Sequence, residues 1–351
     1  MKYYLGCDSH TSYSVIVALD ESGKRSTALR VDHTDGVFAE LAKKFPEQTP
    51  IAVEASGGWY WVVDQLEAAG FDVRLTDPKQ AKWRMVQKNK TDELDAKGLA
   101  TLLRNGTLPE VWIPSASLRD LRGLLRTRLG IRRQGSYYKN RIQAALRRYA
   151  IQPEKKYSDM FGTKGRMELW RCINKLPEQT RFAVNEEWKI LDEIERRLKP
   201  LEERIRQRIG SIGWVRLLKT LPGVGETLSA TIYLEIGDIA RFPCPAQLAS
   251  YAGLVPTIHA SGGHEHMGPT SKQSNHYLRW AFVEAANHLA AMHRYYEGTH
   301  ALNLYRRLRE KKGHNKAAVA VGRHLAESSW WVLKKREPYR QPGPVAAASS
   351  V

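Results

Sequence analysis

The order of strand-like and helix-like runs over residues 1–77 narrows the fold more than any other feature of this chain. Met1 to Gly6 is apolar and aromatic, as a buried central strand should be, and it delivers Asp8 just past its end. A second strand, Tyr13 to Leu19, follows almost at once. Asp20, Glu21, Ser22 and Gly23 then turn the chain into a third strand near Arg30, so the opening is an antiparallel meander. Helical spacing of Phe38, Leu41 and Ala42 leads to Pro50, after which IAVEAS reads as a buried strand ending at Glu54. Gly57 and Gly58 break it, Trp59 to Ala69 reads as a helix, and FDVRLTD, residues 71–77, as a fifth strand.

Three antiparallel strands followed by β-α-β-α predict an α/β domain over residues 1–105, a mixed sheet with helices on its faces. It is the order of the RNase-H-like fold. In such a sheet the first and fourth strands are neighbours, so Asp8 and Glu54 converge at one edge. The next stretch, KTDELDAKGLA, puts Asp92 and Asp95 three residues apart on one face of a helix that closes over them. Like charges held together are costly unless a cation sits between them, and a hard divalent ion such as Mg²⁺, or Mn²⁺, suits oxygen ligands of this kind. Acids around one or two metal ions align a phosphate, activate a nucleophile and stabilise the leaving oxygen. The competing reading is four unrelated surface acids, with D-x-x-D a solvated helical face.

The remaining chain is dominated by positive charge. Fifty-five Lys plus Arg against 37 Asp plus Glu give a formal charge of +18, which points to a nucleic-acid partner. No run of 18 apolar residues and no signal-peptide pattern occurs, so a soluble intracellular protein without a membrane partner is expected. Cys7, Cys172 and Cys244 are far apart and read as free thiols. From Ala116 to Ala150 there are ten Lys or Arg and one acid, Asp120, threaded through Leu118, Leu121, Leu125 and Leu129 at helical spacing. This is a long cationic helix in a helical linker over 106–212. Arg126, Arg132, Arg133 and Arg141 are its candidate phosphate contacts, and Tyr137 and Tyr138 its stacking surfaces. Residues 151–183 suggest only turns. Leu191, Ile194, Leu198, Leu201 and Ile205 then form a coiled-coil seam that Pro200 is expected to kink or divide.

A mostly helical domain over 213–338 follows. In LKTLPGVGETLSATIYLEIGD, Pro222, Gly223 and Gly225 turn the chain between two helices, and the amides opening the second helix suit a phosphate. This is a helix-hairpin-helix pattern, and it marks Gly223 and Gly225 as candidate nucleic-acid contacts. Farther on, a helix ends near Gly253, Ser261 to Asn275 reads as a polar loop, and His276 to Ala291 as an amphipathic helix. The loop holds Ser261, Thr270, Ser271 and Ser274 beside His264, His266 and Lys272; hydroxyls near bases suit a nucleophile, and a plain loop is the alternative. The two histidines lack a third metal ligand. A last helix spans Lys316 to Arg336, and the tail over 339–351 reads as disordered.

These motifs resemble the DEDD transposases of insertion sequences, the bridge-RNA-guided recombinases. The resemblance rests on GCDSH, VEASGGWYW, NKTDELDAKGLA, LPGVGETLSA, YAGLVPTIHASGG and SNHYLRWA, and is weakest over 151–185. It implies a catalytic domain of the Holliday-junction-resolvase type, with Asp8, Glu54, Asp92 and Asp95 as metal ligands, and a C-terminal transposase domain. The family's catalytic serine maps onto Ser261. A noncoding guide RNA, donor and target DNA, multimers built from dimers into a tetramer, and a place in the prokaryotic cytoplasm at the nucleoid are implied as well. Three readings remain open: an RNA-guided recombinase using acids and serine, a resolvase-like nuclease using acids and metal alone, and a non-catalytic nucleic-acid-binding protein.

Overall fold

Alternation along β1 (Tyr3–Ser9) sends Leu5 and Cys7 to one face of a sheet and Gly6 and Asp8 to the other. β1 pairs antiparallel with β2 (Tyr13–Asp20), and β2 with β3 (Leu29–Asp32). After α1 (Val37–Ala42), β4 (Pro50–Glu54) returns parallel to β1; after α2 (Trp59–Ala68), β5 (Asp72–Thr76) lies parallel to β4. The resulting order, β3-β2-β1-β4-β5, is the mixed sheet that the sequence implies. Asp8 lies inside β1 rather than past its end, because the ladder with β2 continues through Asp8 opposite Val15 and Ser9 opposite Ser14. This computed structural model describes residues 2–85, 89, 91–261, 264–271 and 273–341, without the side chains of 258–267.

The chain divides into two compact units, Met1–Ser117 and Leu118–Val351. In the first, Leu5, Cys7, Ile51 and Val53 pack against Phe38 and Leu41 of α1 and Val62, Val63 and Leu66 of α2. The opposite face meets α3 (Pro78–Met85), which the sequence reading did not foresee, and α4 (Asp92–Arg104): Ala52 is buried with Ala81, Leu99 and Leu102.

The second unit is helical apart from one hairpin. α5 (Ala116–Arg148) is the expected long basic helix, and α6 (Thr163–Ile173) occupies the stretch read only as turns. α7 (Glu178–Ile209) runs through Pro200 as one helix. A proline removes a single backbone bond there, whereas Val184, Trp188, Leu191, Ile194, Leu198 and Ile209 form a buried stripe on both sides of it. α8 (Gly213–Leu218), α9 (Glu226–Ile236), α10 (Pro245–Tyr251), α11 (His276–Ala291) and α12 (His300–Lys335) share one core around Ile232, Leu248, Phe282, Val321 and Leu325. α12 begins well before Lys316 and breaks at Gly313, whose φ of 77° leaves the helix.

The polar loop expected from Ser261 to Asn275 is for most of its length a strand. β6 (Pro256–Ser261) and β7 (His264–Thr270) pair antiparallel, with Ser261 opposite His264. Gly262 and Gly263 between two such runs are a two-residue hairpin signal that the count of polar residues obscured. Residues 342–351 of the expected disordered tail lie outside the described residues. No described helix is long and apolar enough to cross a membrane.

Candidate active site

The site begins with a glycine. A Cβ on Gly6 would stand 2.0 Å from the Ala96 carbonyl oxygen and 2.6 Å from the Ala100 nitrogen, so α4 lies directly on the β1 backbone where a side chain would hold it off. Asp8, two residues along, shares Gly6's face. α4 therefore brings its first turn, with Asp92 and Asp95, over Asp8. Thr91 caps that turn by accepting a hydrogen bond from the Leu94 amide, and Arg25 pairs with Glu93, leaving Asp92 and Asp95 to the site.

Glu54 reaches the same edge by register. Cys7 pairs with Val53 across the parallel β1 and β4, so Glu54 stands one step further, on the α4 face that Ala52 also occupies. It is half-buried. Asp8 and Glu54 thus share one face and edge of the sheet by register, and of the acids read from the sequence it is Asp8 and Asp92 whose carboxylates come within ligand distance of each other.

His10 joins them, and it was not singled out from the sequence. Its Nε2 lies 3.1 Å from Asp92 Oδ2 and 3.3 Å from Asp8 Oδ2, while Tyr13 donates a hydrogen bond to Asp92 Oδ2 at 3.1 Å. That Nε2 is buried and lies within ion-pair distance of both carboxylates. The available signal was D-x-H: two residues beyond Asp8 in an extended chain is the same face.

Burial pushes the Asp8 carboxyl above the usual carboxylate range; Asp92 and Asp95 add to this by repulsion, while His10 opposes it. Asp8 is 15 % exposed and Asp92 42 %, so the cluster opens to solvent on the Asp92 side. One donor atom each from Asp8, His10 and Asp92 lie within 4.8 Å of one another. Crowded carboxylates beside an imidazole nitrogen are a donor set that fits a divalent cation: the ion would relieve the repulsion and take the nitrogen as a further ligand. Neighbouring Cys7 is fully buried, its thiol pushed up to about 12 by that burial, and is no nucleophile.

In the second unit the candidate contacts divide. Arg132 and Arg133 are exposed and have no carboxylate partner among the described residues. Arg141 is paired with Glu187 and lies near the Tyr137 hydroxyl. Arg126 is instead engaged by Glu235, donating from Nε and Nη2 to its two carboxylate oxygens at 2.8 Å each. Arg122, buried beside it, donates to the Leu234 and Glu235 carbonyls. Gly223 is buried, and with a φ of 78° and a Cβ position 2.2 Å from the Ala285 carbonyl oxygen, packing on α11 by itself requires glycine there. Gly225 is exposed and caps α9. Ser261 ends β6; its side chain, like those of His264 and His266, lies outside the described residues.

Comparison with known proteins covers both units. A family model described as transposase, of the DEDD type of IS110, matches residues 5–151, and one described as the transposase IS116/IS110/IS902 family matches residues 215–301. The transposase for insertion sequence element IS1111A of Coxiella burnetii is 25 % identical over 340 residues, covering 96 % of this chain and 91 % of its own length. A putative transposase of Sinorhizobium fredii is 27 % identical over 304 residues (85 % and 77 %), and a probable family 20 transposase of Pseudomonas aeruginosa 24 % over 306 (84 % and 86 %).

Proposed function

The chain belongs to the DEDD transposases of the IS116/IS110/IS902 family, and on that premise we propose that it cuts and rejoins donor and target DNA using an RNase-H-like acidic site and a serine. The observation that carries the reading is the convergence of Asp8, Asp92 and His10, made possible by the direct seating of α4 on Gly6. Asp8, Glu54, Asp92 and Asp95, with His10, would hold Mg²⁺ or Mn²⁺. The ion when bound supplies positive charge to a scissile phosphate and lowers the pKa of a coordinated oxygen.

The protein's own groups carry the rest. The acids orient the phosphate, and Tyr13 and His10 hold the Asp92 carboxylate toward Asp8. Ser261 is the proposed nucleophile: its hydroxyl oxygen bonds to the phosphorus, the sugar oxygen leaves with a proton, and the phosphoserine link conserves the bond energy for rejoining. Arg132 and Arg133 are the proposed contacts to the backbone of a noncoding guide RNA, which their exposure without a carboxylate partner among the described residues supports; assembly of dimers into a tetramer is part of the same proposal.

The test joins binding to activity. Wild type should bind Mn²⁺, read by electron paramagnetic resonance, and cleave DNA only with Mg²⁺ or Mn²⁺. Asp8→Asn and Asp92→Asn should lose both while keeping the far-ultraviolet circular dichroism spectrum. Full cleavage in excess chelator would remove the acidic site from the chemistry.

A further inference from the structure

Helix α3 carries a large aromatic side chain that is left exposed. Ala81 is buried under it with Leu99 and Leu102, and Met85, one turn on, packs against the same cluster. On the other side Trp83 is 85 % exposed. Lys79 and Lys82 share that outward stripe, at i, i+3 and i+4 with Trp83, and are exposed as well. None of the three side chains has a hydrogen bond, an ion pair or a ring contact among the described residues. Arg84, the remaining cation, is tied to the Thr107 carbonyl at 2.5 Å. An indole left this exposed beside two ammonium groups, on a helix anchored by its other face, adds little to the packing of the described residues.

Its place relative to the acids is set by the chain. β5 ends at Thr76, which pairs with Glu54 across the ladder, and α3 starts at Pro78. Five residues of helix at ~1.5 Å each carry Trp83 roughly 8 Å along the axis from that start. The stripe therefore leaves the sheet edge that presents the carboxylates.

We propose that Trp83 is a stacking platform for an unpaired base of the DNA strand being cut, with Lys79 and Lys82 on the phosphates flanking it. Indole faces accept any base, ammonium groups hold the backbone, and the pair together select single-stranded character rather than sequence. DNA is the chosen partner because the platform issues from the strand beside Glu54, so a base stacked there is continuous with the phosphate that the acids address. The proposal rests on the reading of the acids as the cleavage site.

Fluorescence anisotropy of the full-length protein with a labelled duplex, fully paired or with a short central bubble, tests it. Wild type should prefer the bubble by about tenfold, in the lower part of what one stacked base provides. Trp83→Ala should remove the preference while leaving affinity for the paired duplex within about twofold, and Trp83→Phe should keep most of it. Replacing both Lys79 and Lys82 by Ala should weaken both probes and reduce the salt dependence of each. An equal preference in wild type and Trp83→Ala, or no preference in wild type, overturns the proposal. So does a Trp83→Ala loss confined to a single-stranded RNA probe of the same sequence. Asp8→Asn should keep the bubble preference, so failure of the cleavage reading and failure of the platform give different results.

Discussion

Arg126→Ala should destabilise the second unit, although a surface arginine on a basic helix is ordinarily free to change. The Glu235 side chain has no exposure, and its carboxylate accepts two hydrogen bonds from Arg126 and one from Asn275 Nδ2 at 2.8 Å, with Arg122 Nε 4.0 Å away. Removing one partner of a buried pair costs roughly 3–5 kcal/mol because it strands a charge. Here Arg122 and Asn275 remain and Arg126 is itself 35 % exposed, which lowers the figure to about 2–3 kcal/mol. For a unit of this size that is a fall in Tm of about 5–10 °C. The sign with pH follows from Glu235. Burial raises its pKa, but the Arg126 and Asn275 hydrogen bonds and Arg122 outweigh it and hold the carboxyl below its ordinary value. The stabilisation is therefore complete above about pH 4.3 and is lost as pH falls through the lowered folded value. Thermal unfolding followed by circular dichroism at neutral pH and near pH 3.5 measures both effects. The gap between wild type and variant should narrow in acid, and Arg126→Ala combined with Glu235→Gln should recover part of the loss. A variant within 1 °C of wild type at neutral pH would refute the argument. On the proposed mechanism the loss would also reach the serine, because Asn275, which Glu235 holds, accepts from the Tyr277 and Leu278 amides and so caps α11 just beyond the hairpin that carries Ser261.

Gly6→Ala should cost about 1–3 kcal/mol by overpacking and abolish cleavage by lifting α4 from β1; thermal unfolding with a cleavage assay checks it. Ser261→Ala should eliminate any DNA adduct seen on a denaturing gel, while Ser271→Ala and Ser274→Ala keep it; an adduct on another residue would make the nuclease that uses acids alone the better reading. Arg132→Ser with Arg133→Ser should weaken RNA binding and lower its salt slope by about 1–2 without changing Tm by more than ~1 °C, measured by filter binding across a salt series.

The sheet order and the faces that carry Asp8, Asp92 and Asp95 were legible because they are short-range statements. Strand alternation places Asp8 and Gly6 on one face, a three-residue spacing places Asp92 and Asp95 on one turn, and the succession of turns orders the strands, all from backbone sterics within a few residues. Tertiary structure decided what needed a partner from far along the chain. Nothing near Arg126 announces that Glu235 will engage its guanidinium from more than a hundred residues away. Likewise, nothing beside Gly6 announces that the backbone of α4 will lie where its Cβ would be. His10 becomes part of the site only because α4 delivers Asp92 to its Nε2, and Trp83 becomes notable only once packing has covered the other face of its helix. Periodicity determines which face a residue occupies. What meets that face depends on long-range packing, where one close approach or one buried charge outweighs local preference.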